Sequence, residues 1–413
     1  MYMCLNFTIY IKIILVFYFN ICFSQSSNNP KNIKTIILKN SKSVAPYINL
    51  EDSIELSFDD LEADEKSYYF QVNHFDYIWN PSKLNKAEFL NGFDDLRIKN
   101  YYNSFNTLQP YTNYYLKIPN EELNFKISGN YSLSIHLANG NKVFEKRFSI
   151  FKDEIPIQIS ISKSNSIKNI NTDQRIKVVV NCNNCTNIYS NSSKLKLVII
   201  KNNNWLSSIV VDKPKYILSN KLIYEDIFFN GGNEFFHFDN SNIYNTNLRI
   251  YRSTLNNLYN NFLTTDKERT KKIYEYNPDI NGEFVVASNN NSNSNIENDY
   301  ARVFFNLKSD RFDSDRTVYI IGRFNDFMIN ENYKLSYNQS TKTYEGSFLF
   351  KQGFYNYKYA FTHKSNLNQI KYFYGNYWQT ENSYRVLLYQ KKINDKYYKI
   401  IGSSELSSIN IKN

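Results

Sequence analysis

Between Leu108 and Ile118, the residues Leu108, Pro110, Thr112, Tyr114, Leu116 and Ile118 fall on every second position. Period two over this length marks a half-buried strand, because successive side chains of an extended chain point to opposite faces. The alternation recurs at Tyr131, Leu133, Ile135 and Leu137, which run into Asn139-Gly140, a strong two-residue hairpin signal. It returns at Tyr355, Tyr357, Tyr359 and Phe361. No long stretch repeats at the 3.6-residue period of an amphipathic helix. The chain has 36 Tyr and 31 Phe against 11 Gly and 8 Pro, a composition that suits pleated surfaces, although part of its Asn, Lys, Ile and Tyr bias can equally reflect an AT-rich genome. The expectation is an all-β protein of tandem β-sandwich domains, and 413 residues leave room for about two to four of them.

Leu108-x-Pro110-x-Thr112-x-Tyr114 resembles the tyrosine corner of fibronectin type III and immunoglobulin-like sandwiches, where the tyrosine hydroxyl ties its strand to the preceding connection. Residues 25–152 read as one such N-terminal sandwich, with a long strand from Ser67 to Trp79 and a long loop, "NPSKLNKAEFLNGFDDLRIKNYY", at one end. His136 falls on the face opposite Tyr131, with Ser132 and Ser134, as an exposed strand histidine. Ile155-Pro156 opens a middle β-rich unit, residues 153–298, with strands at Ile157–Ile161, Arg175–Val180 and Leu195–Lys201. Its polar tract "LYNNFLTTDKERTKKIYEY" reads as a loop with one turn of helix, and the Asn and Ser run from Ser288 to Asn295 as a linker. The third unit, residues 299–402, carries "TVYIIGRFNDF" and "GFYNYKYAF", which resemble the early-set, glycogen-binding type of sandwich; residues 403–413 form a tail.

Residues 1–24 have one Lys, an apolar run from Ile13 to Phe23, and small residues at Cys22 and Ser24, the pattern of a signal peptide cleaved after Ser24. The run is well short of the roughly 20 apolar residues of a spanning helix, so no membrane span is expected. The residues before Cys22 match a lipoprotein signal poorly. The formal net charge is +10, of which Lys12 leaves with the leader. A basic exported chain suits an acidic protein surface or anionic lipid, although scattered lysines also read as an ordinary solvated surface. Nucleic acid is not an expected partner outside the cytoplasm.

Two cysteines remain, Cys182 and Cys185 in "NCNNCTN". A single C-x2-C pair without a nearby His is half a zinc site at best, and a local disulfide suits an oxidising compartment better. The adjacent carboxylates Asp59-Asp60 and Asp94-Asp95 lie on strands or turns, where neighbours point apart and cannot face each other across a bond as a glycosidase requires. The chain has four His, no G-x-S-x-G elbow and no Gly-rich phosphate loop, so no catalytic residue, metal or cofactor is expected. Sugar binding by the third unit would rest on Trp378, because Phe327 stands where such modules carry the stacking Trp. An outer-membrane barrel is disfavoured by the polar, irregular tracts 240–281 and 288–299.

Three blocks taken together are similar to the type IX secretion system plug protein family of Bacteroidota, over roughly Lys39 to Gly402 and in the family's order. They are "SYYFQVNHFDYIW" running on to "LQPYTNYYLKIPN", "FFNGGNEFFHFD" followed by "YNPDINGEFVV", and "VYIIGRFNDF" followed by "YEGSFLFKQGFYNYKYAF". The resemblance implies a periplasmic, non-enzymatic protein that caps the periplasmic mouth of the outer-membrane translocon barrel, SprA, and keeps the empty pore closed. The ending, "YKIIGSSELSSINIKN", shows no sorting module of the kind that type IX cargo carries, which points to machinery instead of cargo. Abundant aromatics suit rigid protein contact, since they bring contact area at little entropic cost. The expected contacts are Tyr77, Trp79, Phe89, Phe93, Tyr101 and Tyr102, in and beside the long loop of the first unit. The rival reading is an exported carbohydrate-binding sandwich protein, which an exposed Trp378 on a concave face would favour.

Overall fold

The computed structural model describes residues 29–190, 193–288, 293–309, 313–409 and 411; the expected signal peptide lies outside them. The described chain is almost entirely β, with helical turns of three or four residues only. No helix among the described residues is long and apolar enough to cross a membrane.

The first sandwich pairs two sheets. One runs in the order Ile33–Asn40, Ile54–Asp60, Thr112–Ile118, Asn100–Asn103, and the other Tyr47–Asn49, Lys142–Phe151, Gly129–Leu137, Tyr68–Phe75, Leu96–Arg97. Alternation works as elementary strand geometry requires: Tyr131, Leu133 and Ile135 enter a core with Phe58, Tyr68 and Phe148. The opposite face is not free, however. Ser132 and Ser134 are buried and His136 is half-buried, because the second unit covers part of this side. Tyr389 of the second unit donates its hydroxyl to Asn130 at 2.8 Å, while Asp326 of the third accepts at 2.6 Å from Lys146, which stands opposite Leu133 in the ladder. The long end loop is itself structured, with a helical turn at Lys86–Phe89 and short strands at Leu90–Gly92, Leu96–Arg97 and Asn100–Asn103.

The second sandwich is discontinuous in sequence. One sheet holds Ile157–Lys163, Asp173–Asn181, Lys221–Asn230 and Tyr216–Ile217. The other runs Asn204–Val211, Ser193–Lys201, Ser383–Lys392, Lys399–Ser407. The last two strands therefore return from the end of the chain, Leu197 lying opposite Leu388 in an antiparallel ladder. A boundary at residue 299 does not describe this architecture, and residues 403–407 are strand and not tail. The run "LKLVII" explains why. Leu195, Leu197 and Ile199 fill the core of the second sandwich, while Val198 and Ile200 pack with Leu387, Tyr389 and Ile400 against Ala45 and Tyr47 of the first. A strand buried on both faces reads as continuously apolar and needs neighbours on each side.

The third unit is inserted between these halves as an eleven-stranded sheet wrapped around its own core, with Gly353–His363 at its centre. Tyr355, Tyr357 and Tyr359 are buried there, and the hydroxyls of the latter two donate to Asp266 at 2.7 and 2.8 Å. Arg249 completes that cluster at 2.6 Å from Asp266. The polar tract expected as a loop instead contributes the strands Tyr259–Leu263 and Asp266–Lys267, both parallel to Tyr300–Lys308. Its buried Asn261 is tolerated because its amide donates to the Ile243 carbonyl and the Ser253 hydroxyl.

Candidate functional site: interdomain seams and an exposed rim

The tyrosine corner lies beside the seam between the first and third sandwiches. Tyr114 donates to the carbonyls of Lys66 at 3.1 Å and Asp64 at 3.3 Å, tying its strand to the connection that leads into Tyr68. Thr112 is buried, Leu108 and Pro110 are exposed, and the turn around Leu108 makes a second tie. The backbone amides of Leu108 and Gln109 both donate to the Asp299 carboxylate, at 2.6 and 3.1 Å. Tyr111, fully buried, donates to the carbonyls of Asn298 and Asn295. Beneath it Lys351 forms an ion pair with Asp59 at 2.8 Å and lies 4.1 Å from the Tyr111 ring centroid. Asp59 also accepts from Tyr300 and Asn113, each at 2.7 Å. Burial holds Lys351 below the ordinary lysine range, with the facing carboxylate opposing that shift.

The blocks "FFNGGNEFF", "PDINGEF" and "GRFNDF" converge on the seam between the second and third sandwiches. A Cβ on Gly231 would stand 1.9 Å from the Tyr377 carbonyl oxygen, so the chain can cross there only as glycine. Next to it, Asn356 accepts from the amides of Ile280 and Gly282, and Asp279 accepts from those of Phe235 and Asn281. Glu234 accepts from Tyr274 at 2.5 Å and is pushed up to about 7 by burial. Lys358, 3.7 Å from the Phe235 ring centroid, is pushed down to about 7 for the same reason. Glu283 completes the seam with Asn203 at 3.2 Å and Arg323 at 3.8 Å. These motifs act as structural joints. Phe327, buried against Phe235, is one of them and offers no stacking surface.

Most of the aromatics expected to contact a partner are committed within the chain. Phe89 lies in the first core and is corrected to a structural residue. Tyr77 packs on Tyr398 at 4.9 Å, and Trp79 meets Trp205 edge-on at 4.9 Å with Arg147 over its ring, so both fasten the first sandwich to the second. Tyr101 is half-buried against Tyr114 and donates to Glu65 at 3.0 Å. Phe93 and Tyr102 remain, 79% and 61% exposed. Phe105, 69% exposed, and Leu108, 46% exposed, follow Tyr102 along the same rim. Phe105 lies outside both the alternating strand positions and the long loop, just after the edge strand Asn100–Asn103.

Asp59 and Asp60 do point apart: Asp59 faces Lys351, while Asp60 accepts from Tyr68 and pairs with Lys66. Asp94 accepts from the Val72 amide and Lys86, and Asp95 from Gln71. Among the described residues one trio of acids stands close enough to hold a cation, Asp60, Glu62 and Asp64, and the Lys66 ammonium bridges all three. Cys182 and Cys185 are joined by a disulfide at the edge of the second core. Trp378 belongs to the end of the second sandwich. It is half-buried, bonded through its backbone to Asn171 and Gln174, with Lys163 4.9 Å from its ring centroid.

Residues 33–152 match the family model described as type 9 secretion system plug protein, first domain. The crystal structure of a hypothetical protein from Parabacteroides merdae superposes with a TM-score of 0.84 at 30% identity, covering 92% of this chain and 98% of that one. A second structure, described as manganese lipoxygenase of Gaeumannomyces graminis with part of a zonadhesin of Komagataella pastoris, is similar only at a TM-score of 0.16 and 7% identity, over 91% and 92% of the two chains. Nothing follows from so low a score. No curated protein matches the chain. The plug family's first domain coincides with the first sandwich, and on that match the chain belongs to the type IX secretion system plug protein family.

Proposed function

We propose that this protein is a non-enzymatic component of the type IX secretion system, exported to the periplasm by a cleavable signal peptide, which caps the periplasmic opening of the SprA translocon barrel and keeps the empty pore closed. The observation that carries this reading is the plug-domain match over the first sandwich, the unit whose rim presents Tyr102, Phe105 and Leu108 to solvent. The seams support it. A steric cap has to hold its shape while a competing partner displaces it, and buried ionic and hydrogen-bonded joints fix the three sandwiches to one another. Loop aromatics on such a scaffold supply contact area without much ordering cost. The mechanism is occlusion: folded sandwiches cover a water-filled pore and leave as a body.

A C-terminal tag on the protein in its native cell, followed by gentle solubilisation of the outer membrane, tests this reading. Co-purification of a very large barrel free of bound cargo is expected, together with leakage through the outer membrane in a deletion strain. Retention on a polysaccharide column without any barrel would sink the proposal in favour of sugar binding, which Trp378 and Phe327, placed as they are, do little to support.

A further inference from the structure

The half-buried Trp378 sits where three surface segments meet, a corner that the capping reading does not use. Its backbone amide donates to the Asn171 carbonyl at 3.2 Å, which joins it to the turn 164–172. Its neighbour Tyr377 donates to the Lys272 carbonyl and packs 5.6 Å from Tyr274, which joins it to the segment 270–277. The tips of both segments are aliphatic. Ile167 and Ile273 are each 94% exposed, values that a folded chain seldom gives a β-branched side chain. The same segments carry partly exposed rings, Tyr276, Tyr372 and the half-buried Trp378. The segments 163–172, 270–277 and 371–379 carry Lys163, Lys168, Lys271, Lys272 and Lys371 and one acid, Glu275, with Asp173, Glu268, Asp279 and Glu381 flanking them. Lys163 lies 4.9 Å from the Trp378 ring centroid, and Lys272 accepts from Tyr377 through its carbonyl. Among the described residues none of these five lysines is paired with a carboxylate.

We propose that this corner docks the protein on an anionic phospholipid surface, with Ile167 and Ile273 entering the boundary between headgroups and acyl chains. Each element has a physical counterpart in the bilayer. Isolated aliphatic tips gain by leaving water for the acyl boundary, and they need no shaped cup to receive them. Tryptophan and tyrosine sit well at headgroup level, where one end of the ring is apolar and the other wet. Lysines keep their ammonium groups at the phosphates while their stems lie along the apolar zone. Strong protein interfaces are built differently, on aromatic or arginine anchors sunk into pockets. The positive charge of the corner selects an anionic bilayer over a neutral one. Such docking is independent of any barrel, so it is tested without one.

The test is flotation of the chain from residue 25 onward with vesicles of phosphatidylethanolamine and phosphatidylglycerol, and with vesicles of phosphatidylcholine. The expected result is partition onto the anionic vesicles only, weakening as salt rises from about 0.1 to about 0.5 M. The double variant Ile167→Ser with Ile273→Ser should lower that partition about ten-fold or more. Its thermal melt should match the parent's, since both side chains lie outside every core. Failure of the parent to float, or flotation that the double variant leaves unchanged, overturns the proposal; the latter result would place the lipid contact elsewhere on the chain.

Discussion

Lys351 of the third sandwich and Asp59 of the first form an ion pair at 2.8 Å with both side chains withdrawn from solvent, although 292 positions separate them in sequence. Breaking a pair of this kind leaves one buried charge uncompensated, whereas removing both charges does not. Lys351→Met is therefore expected to destabilise by about 3–5 kcal/mol. Asp59→Asn combined with Lys351→Met should cost less than the sum of the single changes, because Asn still accepts from Tyr300. Urea denaturation of the three variants checks this; strict additivity would mean that the two groups do not interact.

His74 gives a pH dependence of definite sign. It lies among Phe89, Tyr131 and Tyr397, and burial lowers its pKa from 6.5 to about 4. The unfolded chain then binds more protons between those values, so this contribution is intact above about pH 6.5 and is lost as pH falls toward 4. The full loss from this group is about 3 kcal/mol. Unfolding curves across the range should show the slope, and His74→Gln should flatten it.

Two tyrosine and two phenylalanine positions separate fold from surface. Tyr114→Phe removes a hydroxyl that satisfies two carbonyls and is expected to cost about 1 kcal/mol. Phe89→Ala empties a core position and should cost about 3–5 kcal/mol. Phe93→Ser and Tyr102→Ser, in contrast, should stay within about 0.5 kcal/mol of the parent while reducing barrel recovery in the pull-down. Undiminished recovery would move the contact surface elsewhere.

Gly231 and Gly140 should respond in opposite ways to alanine. A Cβ at Gly231 collides with backbone, and Gly231→Ala is expected to yield unfolded or insoluble chain. At Gly140 nothing stands within 4 Å, and only its φ of +83° opposes a side chain. That substitution should cost about 1 kcal/mol. Soluble expression and thermal melting compare them directly.

Much of the first sandwich is legible in its sequence because the information is local. Alternation at Tyr131, Leu133 and Ile135 names the core face, and the spacing from Leu108 to Tyr114 carries the corner. The blocks around Gly231, Asp279 and Phe324 are equally visible, but their meaning as joints is not, since each makes sense only against the others. Exposure was the poorest inference. Phe89 and Phe93 stand four positions apart in one loop, yet one is sealed in a core and the other projects into solvent.

By itself the sequence determined that the chain would be β, where its faces alternate, and to which family it belongs, because periodicity and motif spacing are properties of short segments. Only the tertiary structure decided that Ser383–Lys392 and Lys399–Ser407 return to complete the second sandwich, that the third is inserted within it, and which aromatics remain at the surface. The reason is that strand pairing is non-local. An apolar run such as "LKLVII" demands partners on both faces without naming them, and the partners are supplied by whichever strands the rest of the chain leaves unpaired.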